Sequence, residues 1–123
     1  MSTQLAIVKQ YLEGVLKADK EQVLAHVTDD VVWEVVGRVK VQGKKALEGV
    51  VSNPVFAGPP TLTVDRWIEH GDTVIAKGAG SAVLAAGGQV EFFFCDVFTV
   101  TGGAISQVES YKVNREEPGS KGP

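Results

Sequence analysis

The start of the chain carries apolar side chains at the three- and four-residue steps of a helix. One face of this helix would hold Leu5, Val8, Leu12, Val15 and Leu16. This spacing is typical of an amphipathic helix that packs one side against the rest of the protein. Tyr11 lies at the edge of the apolar face.

Two further helices and a strand are indicated before residue 60. Asp19 followed by Gln22 has the form of a capping box, which predicts a short second helix that runs to about Val27. The stretch DDVVWEVVG is rich in β-branched residues, as strands are. The stretch KKALEGVVS predicts a third helix, which Gly49 weakens.

From Thr61 onward the pattern changes to strands separated by turns. The strand segments are TLTVDRWIEH, TVIAKGAGSAVL, QVEFFFCDVFTV and AISQVESYKV, and glycine-containing turns separate them. This order predicts an antiparallel meander. Helices followed by a run of strands predict an α+β fold, with the sheet wrapped around the N-terminal helices. Strands of about ten residues favour a strongly curved sheet, and such a sheet closed by helices forms a cone with a pocket inside.

The length and composition suit one domain. The chain has 123 residues, of which 44% are hydrophobic, so it can build a real core. We expect residues 1–113 to form this domain. Residues 114–123 read NREEPGSKGP, offer little to bury, and are expected to form a flexible tail.

The charge pattern and the single cysteine limit the partners and the location that we expect. The formal net charge is −3, so the chain lacks the basic stripe of a nucleic-acid binder. Cys95 is the only cysteine, so no internal disulfide can form. No apolar stretch approaches the ~18 residues of a membrane span. We therefore expect a soluble, cytoplasmic protein that binds neither nucleic acid nor membrane.

The strand FFFCDVF is apolar except for one aspartate, and strand alternation divides it into two faces. One face would hold Val90, Phe92, Phe94, Asp96, Phe98 and Val100. The other would hold Glu91, Phe93, Cys95, Val97 and Thr99. Because both faces are largely apolar, we predict that the outer face is covered by a second copy of the chain, through Phe93, Cys95 and Val97. The alternative is a monomer with a few exposed apolar groups.

The aspartate in this strand, Asp96, is the first candidate for chemistry. If it points inward among phenylalanines, desolvation raises its pKa and it can stay protonated near neutral pH. A neutral carboxylic acid donates a hydrogen bond and can stabilise charge on a substrate oxygen. The alternative is a carboxylate that points outward, or one that is bonded to a lysine or a backbone donor.

Four segments in order resemble the ketosteroid isomerase and SnoaL-like branch of the nuclear transport factor 2-like superfamily. They are QYLEGVLKAD, TDDVVWEVVG, VQGKKAL and CDVFTVTGGAI. The resemblance implies a cone-shaped, cystatin-like α+β fold, usually dimeric, with an apolar pocket and no cofactor. It also implies that Tyr11 and Asp96 hold the substrate oxygen and that Glu34 moves the proton. The isomerase is itself a known example of a carboxylic acid kept neutral at pH 7.

The placement of Glu34 depends on which face of its strand points inward. In one register Val32, Glu34 and Val36 face the pocket; in the other, Val31, Trp33 and Val35 do. Strand parity makes the two registers exclusive. In a related fold, limonene epoxide hydrolase, an aspartate precedes a tyrosine on the end strand. Ser110 stands at that position here, which argues against the same chemistry.

The function predicted from these residues is proton transfer on a small hydrophobic ketone, as an isomerisation or a cyclisation. The predicted pocket walls are Trp33, Phe92, Phe94 and Phe98. His26 and His70 have no metal-ligand spacing, so neither a metal nor a cofactor is expected. The alternative is a dimeric domain that binds a hydrophobic small molecule without catalysis.

Overall fold

The computed structural model describes residues 3–115 and has three helices and six strands in that range. The helices are α1 (Thr3–Leu16), α2 (Lys20–Leu24) and α3 (Lys44–Val51). The strands are β1 (Val27–Val35), β2 (Val39–Gln42), β3 (Thr61–His70), β4 (Thr73–Val83), β5 (Gln89–Thr101) and β6 (Ala104–Asn114). The predicted α+β class is confirmed.

The six strands form one curved, open sheet in the order β2-β1-β6-β5-β4-β3. The segment from β3 to β6 is the predicted antiparallel meander. One pairing differs from the expectation of an antiparallel sheet, because β1 pairs with β6 in parallel. Since β1 belongs to the first half of the chain, its pairing with the last strand brings the two ends of the domain together.

The short helix α2 begins at the predicted cap. The Asp19 side chain accepts a hydrogen bond of 3.1 Å from the backbone N–H of Gln22. The Gln22 amide does not complete the box; it donates to the Gln10 carbonyl oxygen at 2.8 Å instead, which ties α2 to α1. The helix ends at Leu24, earlier than predicted, because β1 already begins at Val27.

The hydrophobic core lies between the helices and the concave face of the sheet. It brings Val8 and Leu12 of α1 together with Phe98 of β5 and Ile105 of β6. Phe98 and Ile105 are fully buried. The predicted apolar face of α1 thus packs on the sheet, as its spacing requires.

The last described residues of the chain are bonded to the sheet. Strand β6 includes Asn114, the first residue of the predicted tail, and the backbone N–H of Arg115 donates to Glu91. The rest of that tail, residues 116–123, lies outside the described residues. Between residues 3 and 115, every helix is too short or too polar to cross a bilayer.

Candidate functional site

Strand β5 turns its phenylalanines toward the core. Phe92, Phe94 and Phe98 are each at most 6% exposed. Asp96 alternates with them along the strand, so its side chain points to the same side. Because Phe93 on the opposite face is exposed, this alternation separates a core face of β5 from an outer face.

The Asp96 carboxyl group meets a second polar group, Ser110. The two residues are direct cross-strand partners on β5 and β6. Asp96 Oδ1 and Ser110 Oγ are both buried, and within residues 3–115 neither atom has a hydrogen-bond partner at its present geometry. Buried polar atoms are nearly always paired, so these two neighbouring atoms would each take a partner, either one another or a bound ligand or water.

Burial raises the pKa of the Asp96 carboxyl above its ordinary value, while the Ser110 hydroxyl and the Lys112 ammonium oppose this shift. Within residues 3–115, no lysine or arginine nitrogen lies within 4.0 Å of this carboxyl group. The charge of Lys112 therefore acts on Asp96, but the two residues do not form an ion pair. Such an environment favours the protonated acid more than water does.

Tyr11 reaches the same interior from α1. Its side chain is buried, and its ring lies edge-on to Phe98 with 5.8 Å between ring centroids. Burial raises the pKa of the phenol, and the charge on Asp96 raises it further, while Trp33 opposes the shift. The Tyr11 hydroxyl therefore remains a hydrogen-bond donor at neutral pH. The predicted pair of donors, Tyr11 and Asp96, is brought into one interior.

Glu34 does not share that interior. On β1, Val31 and Val35 are buried and Trp33 packs against the core, so the alternation directs Glu34 to the opposite face. In the sheet, Glu34 lies beside Lys40 on one side and Glu109 on the other. Of the two registers predicted for β1, the structure has the one that lines the core with Trp33. The base position assigned to Glu34 is therefore not filled by its carboxylate.

Lys112 is a charged residue that sequence analysis missed on the inner side. It alternates with Val108 and Ser110, both of which are buried. Its ammonium lies 4.9 Å from the centroid of the Phe92 ring. Burial lowers the pKa of this amine; the Asp96 carboxylate opposes the shift and Arg38 adds to it. Parity along β6 was the signal that could have found Lys112.

Two clefts open at the surface of the described chain, and neither is lined by Asp96 or Tyr11. The first, of about 300 Å³, lies between α1 and β3. The Lys9 ammonium borders it, 5.2 Å from the centroid of the Trp67 ring. The second, of about 250 Å³, lies near the β3–β4–β5 end of the sheet. An enclosed pocket around Asp96 therefore remains a prediction.

The described residues also offer no metal centre. No group of three or more histidine, cysteine, aspartate or glutamate side chains between residues 3 and 115 is arranged to hold an ion. Asp96, Tyr11, Ser110 and Lys112 are instead hydrogen-bond donors and charges facing an aromatic interior. Such an arrangement suits an organic ligand with a polar oxygen.

The chain is similar to known proteins in sequence family and in fold. The family model of the SnoaL-like domain matches residues 8–108. No curated protein matches the chain in sequence. An LEH-like epoxide hydrolase of M. tuberculosis has a similar structure, with a TM-score of 0.80, 22% identity, and coverage of 90% of this chain and 83% of that one.

Two other solved structures are also similar. A candidate ketosteroid isomerase of Kribbella flavida DSM 17836 has a TM-score of 0.76 at 18% identity. The match covers 97% of this chain and 84% of the isomerase chain. A candidate SnoaL-like polyketide cyclase of Shewanella putrefaciens CN-32 has a TM-score of 0.78 at 8% identity, with coverage of 91% and 80%. At identities this low, the structural similarity shows that the fold is shared and does not assign roles to individual residues.

Proposed function

We propose that this chain, which belongs to the SnoaL-like domain family within the nuclear transport factor 2-like superfamily, is an enzyme that transfers protons on a small hydrophobic ketone. The ketone oxygen would lie against the Tyr11 hydroxyl and the protonated Asp96 carboxyl. The observation that carries this proposal is the buried Asp96 Oδ1, which has no partner among residues 3–115 and lies in the interior that Tyr11 also enters. Trp33, Phe92, Phe94 and Phe98 would contact the apolar body of the ketone.

The two donors would act on the charge that develops during the reaction. As the α-proton leaves the ketone, negative charge moves onto the oxygen and both hydrogen bonds strengthen, which lowers the barrier. Glu34 faces away, so hydroxide from the solvent would take the α-proton and form water, and water would return a proton to another carbon of the enolate and regenerate hydroxide. The outcome would be isomerisation, or cyclisation if the enolate attacks a second carbonyl group.

A second function, binding without catalysis, is favoured by one observation. The structure directs Glu34 away from the interior, so no dedicated carboxylate base accompanies the two donors. A domain that only holds a hydrophobic carbonyl compound needs the donors and the aromatic walls and nothing more. The two functions differ in whether bound ketone is converted or released unchanged.

The proposed oxygen site can be tested with 3,4-dinitrophenol, which is ionised at neutral pH and therefore mimics an oxyanion. Because a hydrogen bond to a charged group contributes about 1.5–3 kcal/mol, Tyr11→Phe and Asp96→Leu should each weaken binding by about tenfold or more. Tyr111→Phe is the matched control, since Tyr111 is half exposed on the outer face of β6. Fluorescence titration measures the affinities. Equal affinity in all four proteins would refute the oxygen site.

The binding of a neutral ketone analogue to the oxygen site should depend on pH. Asp96 donates only while it is protonated, and burial raises its pKa above the ordinary carboxyl range. Binding of a neutral ketone analogue should therefore weaken as the pH rises through this raised pKa. Asp96→Leu should remove that dependence.

We also propose that the chain forms a homodimer through the outer face of the sheet, including Phe93, Cys95 and Val97. Phe93 is 51% exposed, and its cross-strand partner Val113 is 66% exposed. Val97 pairs with Ile75 of β4, which extends the apolar surface across three strands. Water contact with these apolar side chains is unfavourable, and a second copy would remove it.

We expect Val97→Lys to convert the dimer to a monomer, because the partner copy would have to desolvate two new ammonium groups at a symmetric contact. Analytical ultracentrifugation measures the mass. Ala6→Lys is the control, since Ala6 is exposed on α1, away from the sheet. A wild-type chain that stays monomeric at tens of micromolar would rule out this interface.

A further inference from the structure

The position of Lys112 on the concave side of the sheet is not explained by packing. Within residues 3–115, its ammonium has no carboxylate within 4.0 Å. Its ammonium lies over the Phe92 ring, 4.9 Å from the ring centroid. A cation over an aromatic ring recovers only part of the hydration that a partly buried charge gives up.

The charges around Lys112 leave this corner of the interior positive. Among residues 3–115, Asp96 is the carboxylate whose charge acts on Lys112, and burial favours its neutral form. Arg38, which follows the end of β1, adds a second positive charge near Lys112. Arg38 likewise has no carboxylate within 4.0 Å among the described residues. Glu34 and Glu109 lie on the opposite face of the sheet.

The spacing along β6 suits a single ligand that touches both polar positions. Ser110 is the direct partner of Asp96, and Lys112 is the next residue on the same side of β6. Alternate strand residues lie about 7 Å apart, which is the span of one substituted six-membered ring. A ring ketone bound at Asp96 and Tyr11 would therefore place its far substituent near Lys112.

We propose that the ligand of this site is an organic anion, an apolar ketone that carries an ionised acidic group, and that Lys112 binds its negative charge. This inference rests on the proposed oxygen site and adds the class of compound that the site selects. The ammonium of Lys112 would supply the ionic contact, and Arg38 would strengthen the positive field at a greater distance. A neutral ketone of the same shape would leave the Lys112 charge unpaired and would bind more weakly.

A matched pair of compounds tests the selection. The first is 5-phenylcyclohexane-1,3-dione, which is ionised at neutral pH; the second is its methyl enol ether, which is neutral and of nearly the same shape. A charge-assisted contact should make the wild type bind the dione about tenfold more tightly than the ether. Isothermal titration calorimetry or amide chemical shifts measure both affinities.

Substitutions at Lys112 decide whether this residue makes the distinction. Lys112→Met keeps the apolar stem and removes the charge, so it should weaken dione binding by about tenfold and leave ether binding unchanged. Lys112→Arg should retain the preference. Lys45→Met, at an exposed lysine on α3, is the control for net charge. Thermal melts establish that each variant is folded.

The outcomes separate this inference from the proposed function. The inference is overturned if the wild type shows no preference, either because it binds both compounds equally or because it binds neither. It is also overturned if Lys112→Met binds the dione as tightly as the wild type does. If Tyr11→Phe and Asp96→Leu weaken both compounds while Lys112→Met changes nothing, the oxygen site stands and the anion site falls. If only Lys112→Met has an effect, the anion site stands and the oxygen site falls.

Discussion

Replacing Asp96 by leucine should lower turnover by about 10²- to 10³-fold, the effect of removing one donor from an oxyanion site. Affinity for the unreacted ketone should change far less, because the hydrogen bond strengthens only as charge develops on the oxygen. Asp96→Asn should have a smaller effect, since its amide N–H can still donate. The assay follows conversion of β,γ-unsaturated cyclic ketones to conjugated enones by ultraviolet absorbance.

Two carboxylates on the other face of the sheet provide the controls. Glu34→Gln and Glu109→Gln remove the same charge from residues that do not face Asp96 or Tyr11, and neither should alter turnover. Wild-type turnover in Asp96→Leu would contradict the proposed role of Asp96. Ligand binding without any turnover by the wild type would support the non-catalytic function instead.

Asp96→Leu should raise the stability of the fold at neutral pH, although it lowers turnover. The folded-state pKa of Asp96 is raised above its unfolded value. The wild type therefore loses stability as the pH rises from the ordinary carboxyl range through the raised pKa. Asp96→Leu lacks this titration and should be more stable than the wild type at neutral pH. Urea unfolding at several pH values would show whether activity and stability conflict at this position.

Gly78→Ala should destabilise the fold by about 3 kcal/mol or prevent folding, as overpacking against a rigid backbone does. A Cβ atom at Gly78 would overlap the carbonyl oxygen of Thr63 and reach within 2.9 Å of the Val64 Cα atom. The neighbouring strand shifts register just beyond Val64. Glycine at this point of β4 lets β3 approach closely and lets the sheet curve.

Gly49→Ala is the matched control for Gly78. Gly49 lies inside α3, and a Cβ atom there would contact nothing within 4 Å. Alanine should therefore stabilise the protein by up to about 1 kcal/mol through helix propensity alone. Urea unfolding measures both free energies. Surface substitutions usually change the free energy of unfolding by no more than about 0.5 kcal/mol. A Gly78→Ala protein within about that range of the wild type would show that the close approach of β3 does not control stability.

The alternation within one strand allowed much of the interior to be predicted. Phe92, Phe94 and Phe98 are buried together, and Phe93 is exposed, as parity required. This succeeds because side-chain alternation is a property of the extended backbone itself. The helical face of α1 follows in the same way from its period. Both predictions use only residues that are near in sequence.

The face of β1 could not be obtained in that way. Both registers of VVWEVV place apolar side chains inward, so hydrophobicity does not choose between Trp33 and Glu34. The choice was made by parallel pairing with β6, where Trp33 lies beside the buried Val108. A pairing of segments about seventy-five residues apart leaves no local trace in the sequence.

By itself, then, the sequence determined the helices, the meander and the two faces of β5, because these depend on local periodicity. The tertiary structure alone decided that Glu34 lies on the outer face of the sheet and that Ser110 is the cross-strand partner of Asp96. It also decided that Lys112 lies on the inner face with them. The physical reason is that strand register is a relation between distant segments. It is set by how their surfaces pack, and one residue of slip would move every side chain to the other face.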